Sequence, residues 1–278
     1  FNHLVPAEFA PFQVLMTEIQ LRCHRAAVAA PRDHGKTVLC GTVTPLWRIG
    51  RADFPEILLI GSSDPMAEIQ FKAWRTEIES NERYQRLFGV SPGAKWGSMD
   101  CDVAIRRPGD SHVGRVVIRA RGQGCKMRGL HPMYLHAEDI EDEMEMESEA
   151  SRVKFFSWWW RVVGGMVRPD AYWHDFGTIV HNLSLLAELT AQPSPGWTAL
   201  VLAALTSVPG ADGRPERRAL WPQHRPLEWL DSKAAEMGSE DFAKEYLNSI
   251  RAYGMAGGFR HEHLSYYDEP PKVLRTSL

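Results

Sequence analysis

The feature that most restricts the fold is the loop Ala30-Pro31-Arg32-Asp33-His34-Gly35-Lys36-Thr37, set between a short apolar run and a stretch able to form a helix. Arg25 to Ala30 reads as a buried strand that stops at Pro31. A strand, a loop ending in Gly-Lys-Thr and then a helix is the context of a phosphate-binding loop. Backbone N–H groups of the loop Pro31–Gly35, from Arg32 onward, and of the helix start would cradle phosphates. Lys36 would reach the β- and γ-phosphates, and the Thr37 hydroxyl would hold Mg²⁺. The first glycine of the GxxxxGK[ST] pattern is Ala30 here, so the bare pattern also describes a polar turn containing Gly-Lys-Thr by chance.

The remaining chain supplies strands and helices in alternation. Phe12, Leu15, Met16 and Ile19 space their apolar groups like a helix over 12–22. Glu56 to Ile60 reads as a second buried strand, with a helix following over Pro65 to Ser80. Val103–Ile105 and Val116–Ile118 predict two strands joined by a turn, and Met133 to Ala137 another. Residues 149–163, with three consecutive tryptophans, predict a helix, and Trp173 to Val180 a strand. Helices follow near Glu228–Glu236 and Asp241–Ile250, with turns after Pro209. Such alternation predicts an α/β fold with a mainly parallel sheet covered on both faces. Hydrophobic residues make up 44% and charged residues 24% of 278, ordinary globular values that exclude a disordered chain. The longest apolar candidate, Trp197 to Val208, is about half a membrane span, and no signal-peptide pattern opens the chain. Four cysteines without a CxxC pair argue against a zinc ribbon or a disulfide scaffold and fit a reducing cytoplasm. A net charge of −3 excludes a strongly basic coat but not a local basic patch.

A phosphate loop needs an acidic partner at the end of another strand, and Glu138-Asp139 follow Met133–Ala137. One would enter the Mg²⁺ shell and the other would polarise the attacking water. Glu141 through Glu149 read as a solvated acidic face, and His136 as a core or polar-network histidine. Arg106, Arg107, Arg115, Arg119 and Arg121 form either a patch facing DNA or a subunit, or merely a charged hairpin.

Several stretches together resemble the ATPase domain of the large terminase subunit of tailed bacteriophages, the motor that packages DNA. They are PRDHGKT, ILLIGSSDPMAEIQFKAWRTEIESN, RARGQGCKMRGLHPMYLHAEDIEDE, WHDFGTIVHNLSLL and ALWPQHRPLEWLDSKAAEMGSEDFAKEYLNSI, in the family's order over roughly residues 10–268. The resemblance implies a P-loop NTPase of the RecA-like, additional-strand type with a small helical lid. It implies an ATPase domain over 1–253, with the lid from about 190, and a linker over 254–278 toward a nuclease domain absent from this chain. No nuclease activity is then expected of the chain. Arg32 would contact the γ-phosphate. Glu138 would take the Walker B metal position and Asp139 the catalytic one. The family more often has Asp-Asp or Asp-Glu there, so the two roles could be exchanged. Gly177 and Thr178 would form the coupling motif. Gln13 would read adenine or be a plain surface glutamine, and Arg128 would serve as an arginine finger for a neighbouring subunit or as a simple surface arginine.

The implied cofactors are ATP and Mg²⁺. The implied partners are double-stranded DNA, the portal protein and the small terminase subunit, with a homo-oligomeric ring on assembly, a monomer in isolation and no membrane. The implied setting is the cytoplasm of the infected bacterial host, transiently on the procapsid portal. Two other readings keep the same loop and acids: a helicase-like DNA-dependent ATPase, and a nucleotide-binding portal-docking module with little turnover.

Overall fold

The computed structural model describes residues 9–249, apart from 108, 110, 111, 128 and 211–213. Arg128 and the segment 254–278 therefore lie outside the described residues. Helix α1 (Pro11–Arg22) precedes strand β1 (Arg25–Ala29). The loop after β1 leads into one helical stretch. It starts as α2 (Lys36–Val38), widens to a π-helical turn over Leu39–Val43, and continues as α3 (Thr44–Arg51). Strand β2 (Glu56–Gly61) follows, then α4 (Asp64–Ser80), which the Ser63 side chain caps by accepting from the Met66 N–H. Helix α5 (Glu82–Phe88) comes next, capped by Asn81. Strands β3 (Val90–Trp96), β4 (Asp100–Ile105) and β5 (Gly114–Gly122) then form an antiparallel meander.

The acid-bearing strand β6 (Tyr134–Glu138) is followed by α6 (Glu143–Glu147) and α7 (Glu149–Trp158). A second π-helical turn, Trp159–Val163, leads into α8 (Gly164–Met166). Next come β7 (Tyr172–Gly177), α9 (Leu185–Ala191) and β8 (Trp197–Val201). The hairpin β9 (Leu205–Pro209) and β10 (Pro215–Ala219) and helices α10 (Leu227–Met237) and α11 (Ser239–Leu247) complete the order.

Eight strands form one sheet in the order β3-β4-β5-β2-β6-β7-β1-β8, while β9 and β10 pair separately. Every pair from β5 to β8 is parallel. Strand β7 lies between the loop strand β1 and the acid strand β6, which is the additional-strand arrangement. Both faces of the sheet are buried, so β2 is apolar without alternation. Leu58, Ile60, Leu135 and Ala137 pack on one face with Trp159 and α9; Ile57, Leu59 and Tyr134 pack on the other with Phe71 and Trp74 of α4. Each fully buried side chain of this size stabilises the fold by roughly 1.5–3 kcal/mol. Of the three tryptophans, Trp159 is fully buried and Trp160 forms the exposed edge.

Strand β8 pairs with β1 over Arg25–Ala29 and Trp197–Val201, so the main sheet extends past residue 190. A small subdomain with its own core follows β8. The hairpin β9–β10 supports α10 and α11 around a core of Ala204, Leu230, Phe242 and Tyr246. Among the described residues no helix is long and apolar enough to cross a membrane.

Candidate active site

Parallel neighbours β6, β7 and β1 end at the same edge of the sheet. Ligands of open α/β sheets bind in the crevice beyond that carboxyl edge. The loop after β1, the acids after β6 and the Gly177–Thr178 segment after β7 therefore converge. Ala30 N–H donates to the Gly177 carbonyl at 3.0 Å and Asp139 N–H to the Phe176 carbonyl at 2.8 Å.

Two loop residues, Asp33 (φ 62°) and Gly35 (φ 81°), adopt left-handed conformations that turn the chain tightly before the helix. Lys36 is 6% exposed. Its ammonium donates to Asp139 Oδ1 at 2.6 Å and to Thr178 Oγ1 at 3.3 Å. The Thr178 hydroxyl in turn donates to the Ala30 carbonyl at 3.4 Å. One lysine thus joins its loop to two segments that lie 103 and 142 residues further along the chain. Asp139, with φ 45°, sits in a strained conformation for a non-glycine residue. Gly177 lets β7 pass beneath it: a Cβ there would stand 2.9 Å from Leu186 Cδ2 and 3.4 Å from Asp139 Oδ1.

A cavity of about 490 Å³ opens over these groups, lined by Arg32, Lys36, Thr37, Asp139, Thr178 and Glu245 among others. A larger groove of about 860 Å³ lies elsewhere, along α7 and α8, with Lys154, Trp158 and Arg161; among the described residues none of the candidate site residues lines it.

Glu138 does not line the 490 Å³ cavity. It is 1% exposed, and neither carboxylate oxygen has a hydrogen-bond partner. Its side chain lies against the π-helical turn, where a Cβ on Gly41 would stand 2.0 Å from Glu138 Oε2. Burial pushes this carboxyl up, but His136, Lys36 and the Thr37 hydroxyl outweigh burial and hold it below its ordinary value. His136 Nε2 stands 3.6 Å from Glu138 Oε2, an electrostatic contact rather than a hydrogen bond. A buried, ionised carboxylate with unpartnered oxygens beside a threonine hydroxyl fits a divalent cation held by Thr37 and Glu138, completed by phosphate oxygens and water.

Other candidates are placed differently from a direct ligand role. The Gln13 side chain is 3% exposed; it accepts from the Ala10 N–H at 3.0 Å and donates to the His34 carbonyl at 3.4 Å, bracing the loop from beneath. His34 turns inward between Phe12 and Trp221. Burial pushes its pKa down, and the cavity is lined by Asp33 and Gly35 on either side of it rather than by His34. Arg32 pairs with Glu245 of α11 at 3.4 Å. The hairpin arginines Arg115, Arg119 and Arg121 are paired with Asp102, Glu56 and Asp100, so this part of the patch is self-neutralised.

Two carboxylates escaped sequence reasoning. Glu141 is not part of a solvated face. Its oxygens accept from the Leu185 N–H at 2.6 Å and the Leu186 N–H at 3.0 Å, capping α9. Burial pushes its pKa up to about 7, against the pull of these amides and with a push from Glu188. Asp175 lies within β7, 2% exposed; burial, then Glu141 and Asp139, raises its pKa well above the ordinary aspartate value. The signal for Asp175 was a charge inside the apolar run Trp173–Gly177.

No protein-family model matches the sequence, and no curated protein matches it. Solved structures do. The ATPase domain of the Thermus phage P74-26 large terminase superposes with a TM-score of 0.61 at 16% identity, over 88% of this chain and 95% of that one. The chain has the fold of a large terminase ATPase domain. A mutant of the same phage domain gives the same score, with 96% of its chain covered. The large terminase of a second thermophilic bacteriophage matches with a TM-score of 0.51 at 10% identity, over 87% of this chain and 53% of that one. This chain therefore spans about half the length of that second terminase.

Proposed function

We propose that the chain hydrolyses ATP with Mg²⁺ and uses the energy to move double-stranded DNA into a viral procapsid. The observation that carries the chemistry is the Lys36 ammonium, held between Asp139 and Thr178 at the carboxyl edge of the sheet. A lysine on a strand–loop–helix turn, beside a carboxylate from the acid strand, is the constellation of phosphoryl transfer from a nucleotide. The packaging role is supported by the solved neighbours, which are named as large terminases.

In this reading the loop amides of residues 32–37 and the Lys36 side chain bind the triphosphate. Thr37 and Glu138 hold Mg²⁺, which neutralises charge on the phosphate oxygens when bound. Asp139 exchanges its pairing with Lys36 for a water, which it orients toward the γ-phosphate. Arg32 stabilises charge on the transferring oxygens. Gly177 and Thr178, bonded to the loop through Ala30, relay the change to α9 and the small subdomain. DNA is gripped through its phosphates, so binding is sequence-independent and weakens with salt. A homo-oligomeric ring on the portal, recruited with a small terminase subunit in the host cytoplasm, is the corresponding assembly. Arg128 is proposed from the sequence as its trans-acting finger.

The deciding experiment is phosphate release by the purified chain with and without duplex DNA. Mg²⁺-dependent hydrolysis, accelerated by duplex of any sequence, is expected. Little or no turnover with or without duplex would replace the packaging reading by the module reading, and hydrolysis that answers only to single strands would replace it by the helicase reading.

A further inference from the structure

The last turn of α11 rests on two functional segments at once. Arg32 N–H donates to the Glu245 carbonyl at 2.9 Å, and the two side chains pair at 3.4 Å. The Tyr246 hydroxyl donates to Asp33 Oδ2 at 2.8 Å. Asn248, just past the helix, has φ 46° and is 3% exposed. Its side chain accepts from the Ile179 N–H and donates to the Leu202 carbonyl, both at 2.9 Å. The same turn therefore touches the phosphate loop at Arg32 and Asp33, and the segment that follows Thr178.

Glu245 lines the cavity together with Lys36 and Thr37. Its carboxylate thus engages the loop arginine at the wall of the cavity that a phosphate would enter. A guanidinium takes carboxylate and phosphate through the same planar fork of donors. The cavity wall also carries Asp33, Asp139 and Glu141, so an entering polyphosphate meets carboxylates that repel it and a single loop arginine already engaged.

We propose that Glu245 and a nucleotide phosphate are alternative partners of Arg32, so that binding of a nucleoside triphosphate takes the arginine from α11 and loosens its last turn from the loop. The inference rests on the nucleotide reading of the cavity. It adds a positioning residue, Glu245, that lowers affinity for the ligand and ties the small subdomain to the state of the site. Asn248 passes the release on, because it bonds to Ile179 beside the coupling segment.

The test is titration of the full chain with a fluorescent ATP analogue, using wild type, Glu245→Gln, Arg32→Gln and the double variant. The Arg32 side chain is 61% exposed and that of Glu245 27%, so the pair is weak. Glu245→Gln should tighten binding by roughly two- to fivefold, a gain that damage to the fold would not produce. In the Arg32→Gln background the same change should yield no gain, since the competition is then gone. Hydrogen exchange of the wild type gives the second readout. On adding the analogue, the amides of Arg32 and of Ile179 should exchange faster. Unchanged or weaker binding by Glu245→Gln, an equal gain without Arg32, or slower exchange at these amides overturns the inference alone. A wild type that binds no analogue overturns the nucleotide reading and the inference with it.

Discussion

Lys36 is the residue on which most of the site depends, because its buried ammonium offsets Asp139 and anchors Thr178. Truncation removes a charge-assisted contact to phosphate and leaves Asp139 uncompensated. Lys36→Ala should bind ATP roughly 10–100-fold more weakly and show no hydrolysis in a phosphate-release assay; hydrolysis at the wild-type rate would remove the loop from the site. The two acids should separate by role. Asp139 faces the cavity whereas Glu138 lies sealed against Gly41. Asp139→Asn should retain ATP and lose roughly 10²–10⁴ in turnover. Glu138→Gln should instead shift the Mg²⁺ concentration needed for half-maximal activity. A larger turnover loss at Glu138, with Asp139→Asn near normal, would exchange the assignments.

At the scale of elements, Glu141 fastens the acid loop to α9, and its charge is pH-sensitive. The folded protein holds its proton up to about pH 7, whereas an unfolded glutamate loses it near the ordinary value of about 4.3. The folded state therefore binds more protons between those values. Its stability from this group is full below the unfolded pKa and is lost as pH rises through about 7. Asp175, also raised, acts with the same sign, so the comparison must isolate Glu141. From pH 5 to 7.5 the wild-type melting temperature should fall more than that of Glu141→Gln, by the equivalent of ~1–3 kcal/mol. Parallel curves would deny the shift. The acid loop also shows where sequence stopped being legible. Gly-Lys-Thr after an apolar run identified the loop, and the apolar runs ending at Ile60 and Ala137 identified the central strands. Glu141 was lost in an acidic run because its partner amides are 44 and 45 residues away. Strand β3 contains Pro92 and Gly93 and lies at the sheet edge, and β10 exposes nearly every side chain. Neither carries the apolar signal by which a strand is recognised. Strand β8 was read as part of an apolar run without its pairing to β1, a contact that only the folded chain provides.

The whole molecule presents an electrostatic shortfall. Around the cavity stand Asp33, Asp139, Glu141 and Glu245, against Arg32 and Lys36 as the cations of its lining. Lys36 is already paired with Asp139 and Arg32 with Glu245. Charge developing on a transferring phosphoryl group needs more positive charge than this wall supplies. An arginine from a neighbouring subunit would supply it, at a gain of roughly 10³–10⁵ in rate. The sequence nominates Arg128, which stands between Gly124 and Gly129. The isolated chain should then hydrolyse slowly, with activity rising faster than linearly with concentration. Mixing separates the two halves of such a shared site. Arg128→Ala chains keep the loop and lose the finger, while Lys36→Ala chains keep the finger and lose the loop. Each alone should be inactive in phosphate release. A mixture should recover part of the wild-type rate, because some interfaces pair an intact loop with an intact finger. A mixture that stays inactive at concentrations where wild type turns over would place Arg128 within its own subunit. The missing charge would then have to come from Mg²⁺ and from the release of Arg32 by Glu245.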